Sequence, residues 1–282
     1  KAKSQTLKIN KYELKDNNQI ILISGYGKSY GVDIDELKNI FIPSFDKGVI
    51  YKISPDLAKY EIFDIKNKKL TKISDNKNLK KIEGNLLRPH DITFDSNGNM
   101  YITEMGYGKG KLGGQVTKIS KDGSVIATIG SDTNNGKGLD DPTVSHFASD
   151  GYLYVSECRA DKIIKYDDSY NVKSYIGKKD ESKKTLLNYL NKPHALRIGP
   201  DEKIYVADTD NHRIVKFDKN GKYVGWIGKK EDGSINNKWL SEGKSISGTE
   251  LGAFNGIIDL EIYKNKIHVS EASYLHLKDM FN

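Results

Sequence analysis

The sequence predicts an all-β fold: a β-propeller of four-stranded antiparallel blades, with residues 1–282 as one domain. Three observations predict it. First, the chain repeats itself: "KPHALRIGPDEKIYVADTDNHRIVKFDKNGKYVGWIG" (Lys192–Gly228) aligns with "DPTVSHFASDGYLYVSECRADKIIKYDDSYNVKSYIG" (Asp141–Gly177) and, given one insertion, with Arg88–Gly130. Second, each copy holds four short runs rich in Ile, Val, Tyr and Phe, separated by Gly, Asp, Asn and Pro clusters, the signature of consecutive antiparallel strands. Third, both alternation phases of the second run are apolar, with Ile204 and Val206 on one side and Tyr205 and Ala207 on the other. Such a sheet is covered on both faces, as blades stacked around an axis are.

The elements follow in chain order. "INKYELKDNNQIILISG" (Ile9–Gly25) reads as a third and fourth strand with two extra residues. "GVD" near Val32 is a weak first strand, and Asn39–Phe63 supplies a second, third and fourth. Arg88–Gly130 and Asp141–Gly177 are complete copies. In the clearest unit the strands are His194–Ile198, Ile204–Ala207, Arg213–Phe217 and Tyr223–Ile227, and Asn255–His276 supplies a first and second strand only. The two ends complement each other. Pairing them would close the ring and remove exposed edges. This gives five readable blades, or six if Lys66–Leu87 holds a degenerate copy or more chain follows Asn282. Lys66–Leu87 and Lys229–Phe254 are long enough to be expected as loops covering a face.

Composition narrows the function classes. Lys+Arg exceed Asp+Glu by +7, but no block of five like charges occurs, so RNA binding through a basic face is the weakest reading and nucleic acid is not the expected partner. Cys158 is the only cysteine, which excludes an intrachain disulfide and a cysteine-built zinc site. The longest aliphatic run, Ile20–Ile23, is far short of the ~20 residues of a membrane span. A start at Lys1 rather than Met suggests an export signal removed upstream, hence an extracytoplasmic (periplasmic or secreted) protein.

In a propeller blade the first strand starts on one face of the disc and the second strand returns to it. His90, Asp91, Thr143 and His194 therefore share a face with Glu104, Glu157, Asp208 and Glu271, near the channel where propellers bind ligands. Arg159 and Lys109 lie on its rim. A small molecule, peptide or protein would meet this face. His90 and His194 read either as imidazoles holding a divalent metal, with Asp91 or Glu104 as further ligands, or as caps that bond a neighbouring loop. The acidic series reads either as a carboxylate ring for calcium, similar to lactonase-type propellers, or as acceptors for the backbone of the following turn, paired with a turn arginine such as Arg213. His146 lies inside a strand; His212, His268 and His276 fall in turns or late strand positions without an obvious partner. "GKGKLGG" (Gly108–Gly114) lacks phosphate-loop spacing, and no nucleophile elbow is present.

At "YVADTDNHRIVKFDKNGKYVGWIG" the chain resembles an NHL repeat, with Asn211-His212-Arg213 at the Asn-His-Leu turn. The resemblance implies an NHL-type propeller and no single activity. Pro89-His90, Pro142-Thr143 and Pro193-His194 also stand in the order seen in the peptidyl-hydroxyglycine α-amidating lyases, whose Pro-His steps hold zinc. A third Pro-His step is absent, with Phe254-Asn255-Gly256 in its place, and Cys158 and Arg159 follow Glu157 where those lyases have a tyrosine. Two function readings result: a ligand- or protein-binding propeller, and a zinc-dependent lyase using His90 and His194.

Overall fold

The computed structural model describes residues 8–13, 19–24, 28–55, 60–62, 86–106, 113–131, 138–177, 188–263 and 266–271. The expectation of a blade or face-covering loop at Lys66–Leu87 lies almost wholly outside them, as do Lys109, His276 and most of Gly108–Gly114. The chain divides into two compact units, Lys1–Gly138 and Leu139–Asn282. Helix is nearly absent among the described residues, and no helix is long and apolar enough to cross a membrane.

The first unit holds three antiparallel sheets. β1 (Lys8–Glu13) pairs with β2 (Gln19–Ser24) alone. β3 (Asp33–Ile34), β4 (Ile40–Ser44), β5 (Val49–Ile53) and β6 (Tyr60–Ile62) form the second sheet in that order. β7 (Pro89–Phe94), β8 (Met100–Glu104), β9 (Gln115–Ile119) and β10 (Val125–Ile129) form the third. The two four-stranded sheets share a core of Phe41, Ile50, Ile92, Met100, Ile102 and Ile119.

The second unit repeats the plan. β11 (Pro142–Phe147), β12 (Leu153–Glu157), β13 (Lys162–Tyr166) and β14 (Val172–Ile176) make one sheet. β15 (Pro193–Ile198), β16 (Ile204–Asp208), β17 (Arg213–Phe217) and β18 (Tyr223–Lys230) make the next. β19 (Ile235–Leu240) and β20 (Ser245–Ile246) pair onto β18 and widen it. The loop expected over Lys229–Phe254 is therefore largely a blade extension, built by pairing with β18 and by Trp239 packing tilted on Tyr205, ring centroids 5.7 Å apart. β21 (Ile257–Tyr263) and β22 (Lys266–Glu271) form a two-stranded sheet. First strands neighbour one another, β15 packing against both β11 and β21, and Val144, Leu196, Val206, Ile214, Trp226 and Leu260 join one core.

One device recurs at the turn between first and second strands. Tyr101, Tyr154 and Tyr205 donate their hydroxyls to Asp95, Asp150 and Asp201 of that turn. Lys118, Lys165 and Lys216 of the third strand lie over the same three rings. The turn aspartates accept nearby backbone N–H groups as well, which is how short polar turns close hairpins without Gly at every step.

Candidate functional site

The opposite end of each blade, where first strands open, is built by a shared entry. Arg88, Asp141, Lys192 and Gly256 adopt left-handed conformations, with φ of 56°, 55°, 50° and 84°. For the three non-glycines this costs about 1–2 kcal/mol each, so the surroundings must hold them there. A register shift follows at once, between Pro89 and Asp91, Pro142 and Ser145, Pro193 and Ala195, and Ile257 and Asp259. Such a bulge re-aims the side chain inside it, here His90, Thr143, His194 and Ile258.

What holds the entry is the acidic series. Each second-strand carboxylate accepts the backbone N–H two residues before the first strand of its own sheet: Glu104 from Leu87 (2.5 Å), Glu157 from Asp140 (2.7 Å), Asp208 from Asn191 (2.6 Å) and Glu271 from Asn255 (2.5 Å). The donor is thus in the turn that precedes the first strand, not the turn after the second. Remaining capacity is used locally. Glu104 accepts Gln115 Nε2 (3.0 Å) and the Thr117 hydroxyl, and Glu157 pairs with Lys162 (2.8 Å). Asp208 accepts Asn211 Nδ2 (2.9 Å) and Arg213 Nε (2.7 Å). Burial pushes the Asp208 carboxyl up from its ordinary value, opposed by Arg213 and the N–H donors. Arg159 pairs with Asp141 at 2.7 Å, so it fastens the entry turn.

The bulge position differs between the units. In the second, Thr143 Oγ1 donates to the His194 carbonyl (2.7 Å), and His194 Nδ1 lies 2.7 Å from the Ile258 carbonyl. Each side chain bonds the backbone of its counterpart in the next sheet, with Ser156 Oγ beside Thr143 at 2.8 Å. A carbonyl can only accept, so Nδ1 carries the proton and the neutral ring's lone pair is on Nε2. Burial holds His194 below the usual histidine range. In the first unit, His90 is 2% exposed and stacks on Tyr30, ring centroids 4.4 Å apart and planes 3° from parallel. Phe45 meets Tyr30 edge-on, and the Arg88 guanidinium covers Phe45 at 4.2 Å. Asp91 is buried against Gly31, where an added Cβ would come 2.3 Å from its carboxylate oxygen.

Sequence reasoning missed Tyr30, although a signal existed. Asp35 and Asn39 close the same turn as Asp95 and Asn99, which puts Tyr30 at the position of His90 in its own sheet. It also missed a second polar row on the first strands of the second unit. His146, Arg197 and Glu261 occupy equivalent positions on β11, β15 and β21; Arg197 bonds Glu261 (2.8 Å) and approaches Asp259 (3.4 Å). Burial and the Arg197 charge push His146 down to about 4, against the pull of Glu261. Nearby on the strand-opening face, a cleft of about 400 Å³ is lined by Asp161, Asn211, Arg213 and Lys244. Burial pushes the Cys158 thiol up to about 12, which disfavours the thiolate. Among the described residues no three His, Cys, Asp or Glu side chains converge as a metal site would require.

Among known proteins, the model of the SMP-30/gluconolactonase/LRE-like region matches residues 12–230 of this chain. The chain belongs to this family. Solved structures share its propeller-like fold at low identity. A virginiamycin B lyase from Staphylococcus aureus is 14% identical, with 95% of this chain and 89% of that one covered and a TM-score of 0.52. A streptogramin B lyase is 14% identical over 96% and 83%, TM-score 0.54. A protein described as a putative gluconolactonase is 13% identical over 92% and 76%, TM-score 0.57. At these identities the likeness shows a β-propeller fold. A search of curated proteins finds no match. The family, rather than the NHL repeat, is what the comparisons establish.

Proposed function

We propose that the protein binds a small molecule at the strand-opening face, in the first unit around His90, Asp91 and Tyr30. The observation that carries this is the burial of an imidazole and a carboxylate side by side at a strand opening, held by stacking and by the close approach of Gly31. Burying an imidazole and a carboxylate next to each other carries a desolvation cost, and perturbed polar groups of this kind cluster at functional sites. The four second-strand carboxylates act in this reading as architecture, not as ligands. The Asn211-His212-Arg213 turn is read as an NHL-type turn. In this reading β1–β2 and β21–β22, each a two-stranded sheet of its own, are the halves of one repeat, which would bring the blades to five.

The competing reading is the zinc-dependent one. Its support is the His194 tautomer, because a backbone carbonyl on Nδ1 is how ligating histidines are commonly oriented. The described residues do not supply the three protein ligands that zinc needs, so no catalytic step is routed through a metal. Calcium at the acidic series meets the same objection, since each carboxylate is already bonded within its sheet.

The test titrates gluconolactone and quinupristin calorimetrically into wild type and His90→Ala; quinupristin is bound in a solved structure of an inactive virginiamycin B lyase from Staphylococcus aureus, and another neighbour is described as a putative gluconolactonase. Saturable binding lost in His90→Ala supports the reading. Binding that survives the substitution, or binding of neither compound, overturns it in this form. One equivalent of zinc in the purified protein, lost in His90→Ala or His194→Ala, would replace it with the metal-dependent reading.

A further inference from the structure

A second cavity lies in the first unit at the other end of the strands from His90, between the turn after β3 and the turn after β7. It has a volume of about 270 Å³. Its floor is apolar: Phe41 and Phe94 meet edge to face with ring centroids 5.2 Å apart, and Met100 lies beside them. Leu37 stands at its mouth, 71% exposed, an unusual place for a large aliphatic side chain. The rim carries three carboxylates, Asp35, Glu36 and Asp95, and two ammonium groups, Lys52 and Lys121.

The three carboxylates are not in the same state. Asp95 has Lys118 at 3.6 Å. Glu36 is bridged to Lys121, whose side chain crosses Gly98 so closely that a Cβ there would sit 2.3 Å from Cε. Asp35 is bonded only to neutral groups of Asn39, the backbone N–H at 2.8 Å and Nδ2 at 2.8 Å. Among the described residues no cation is paired with it. A carboxylate with no ion-pair partner among the described residues, set beside aromatic and aliphatic surface, is the complement of a cation on an apolar body, in competition with Lys52 on the same rim. The aromatic faces add attraction for the same charge, and the apolar lining shields it from water.

We propose that this cavity is a binding site for a small organic ammonium, with Asp35 as the counter-ion, Leu37, Phe94 and Met100 as the apolar contact, and the Lys121–Glu36 bridge as a resident cation that limits occupancy. Lys121 already satisfies one carboxylate. Removing its charge while keeping its length over Gly98 leaves Glu36 available as a second counter-ion. The site is independent of the strand-opening face.

The test is titration of benzylammonium, with benzyl alcohol as its uncharged counterpart, into the full chain carrying ¹³C-methyl methionine. The Met100 methyl reports the cavity directly. Benzylammonium is expected to shift it saturably and to bind at least tenfold more tightly than benzyl alcohol. Asp35→Asn is expected to weaken the ammonium at least fivefold and leave the alcohol unchanged. Lys121→Met, at an exposed position that folding tolerates, is expected to tighten the ammonium several-fold. Equal affinity for the two probes, an unmoved Met100 methyl at high probe concentration, or unchanged or weakened ammonium binding in Lys121→Met each overturns the proposal.

Discussion

At the opening of the first strand, one unit places Tyr30 and His90 and the other Thr143 and His194, and the two pairs are fixed by different forces. Tyr30 and His90 are stacked ring on ring. Thr143 and His194 are tied to the backbone of the adjacent strand. Stacking fixes the plane of an imidazole through its π face, whereas a hydrogen bond fixes it through one nitrogen and decides its tautomer. The same register position therefore serves two ends, and polarity at that position does not by itself reveal which. The lock behind it differs in the same way. Asp208 holds an arginine, whereas Glu104 holds Gln115 and Thr117.

The largest expected effect separates those two locks. Arg213 is 4% and Asp208 0% exposed in their side chains, so Asp208→Ala leaves a buried guanidinium without its carboxylate. Breaking a buried pair in this way costs about 3–5 kcal/mol. Glu104→Gln keeps an acceptor for Leu87 N–H and strands no charge, so the loss should be about 1–3 kcal/mol. Urea midpoints with unchanged slopes measure both. Equal losses would mean that the ion pair does not dominate the lock of the second unit.

A smaller effect depends on pH and belongs to the second unit alone. His146 has a folded value of about 4, below the unfolded value of about 6.5. Between these the unfolded chain binds the additional proton, so this contribution is complete above pH 6.5 and is lost as pH falls toward 4. The slope is about 1.4 kcal/mol per pH unit. The difference in stability between wild type and His146→Gln should therefore shrink by about 2 kcal/mol from pH 7 to pH 5, followed by denaturant titration at each pH. A difference independent of pH would place His146 in a more hydrated setting than β11, Arg197 and Glu261 provide.

The sequence made the sheets of Arg88–Gly130, Asp141–Gly177 and Lys192–Gly228 legible because strand periodicity and turn residues repeat there in step. It also made the two-stranded ends legible, as β1–β2 and β21–β22. It failed where structure comes from partners distant in sequence. β19 and β20 carry Asn, Lys and Ser that suggest a loop, and they are strands because β18 offers an edge. The partner of each second-strand carboxylate is a backbone N–H some seventeen residues upstream, for example Leu87 for Glu104, and any residue type can provide that. The row of His146, Arg197 and Glu261 emerges only when three first strands are set side by side. Tyr30 was within reach, since Asp35 and Asn39 mark its register, but β3 has only two residues and the repeat is faint there.

The smallest effects sharpen the comparison most. Thr143→Val removes a buried hydroxyl bonded to the His194 carbonyl and to Ser156 Oγ and should cost about 0.5–1.5 kcal/mol per bond. Tyr30→Leu removes an aromatic stack worth about 0.5–1.5 kcal/mol beyond its area. Stability alone would not tell them apart. The ¹⁵N shifts of the imidazoles do, because Thr143 acts on the His194 carbonyl and leaves the contact of Nδ1 with Ile258 in place, so the His194 ring should keep its tautomer and its shifts in Thr143→Val. Tyr30 acts on the His90 ring itself, and Tyr30→Leu should move the His90 shifts at similar cost in stability. If His194 changed tautomer in Thr143→Val, the stitching would be a coupled chain rather than two separate bonds, and the second unit would be as sensitive at this position as the first.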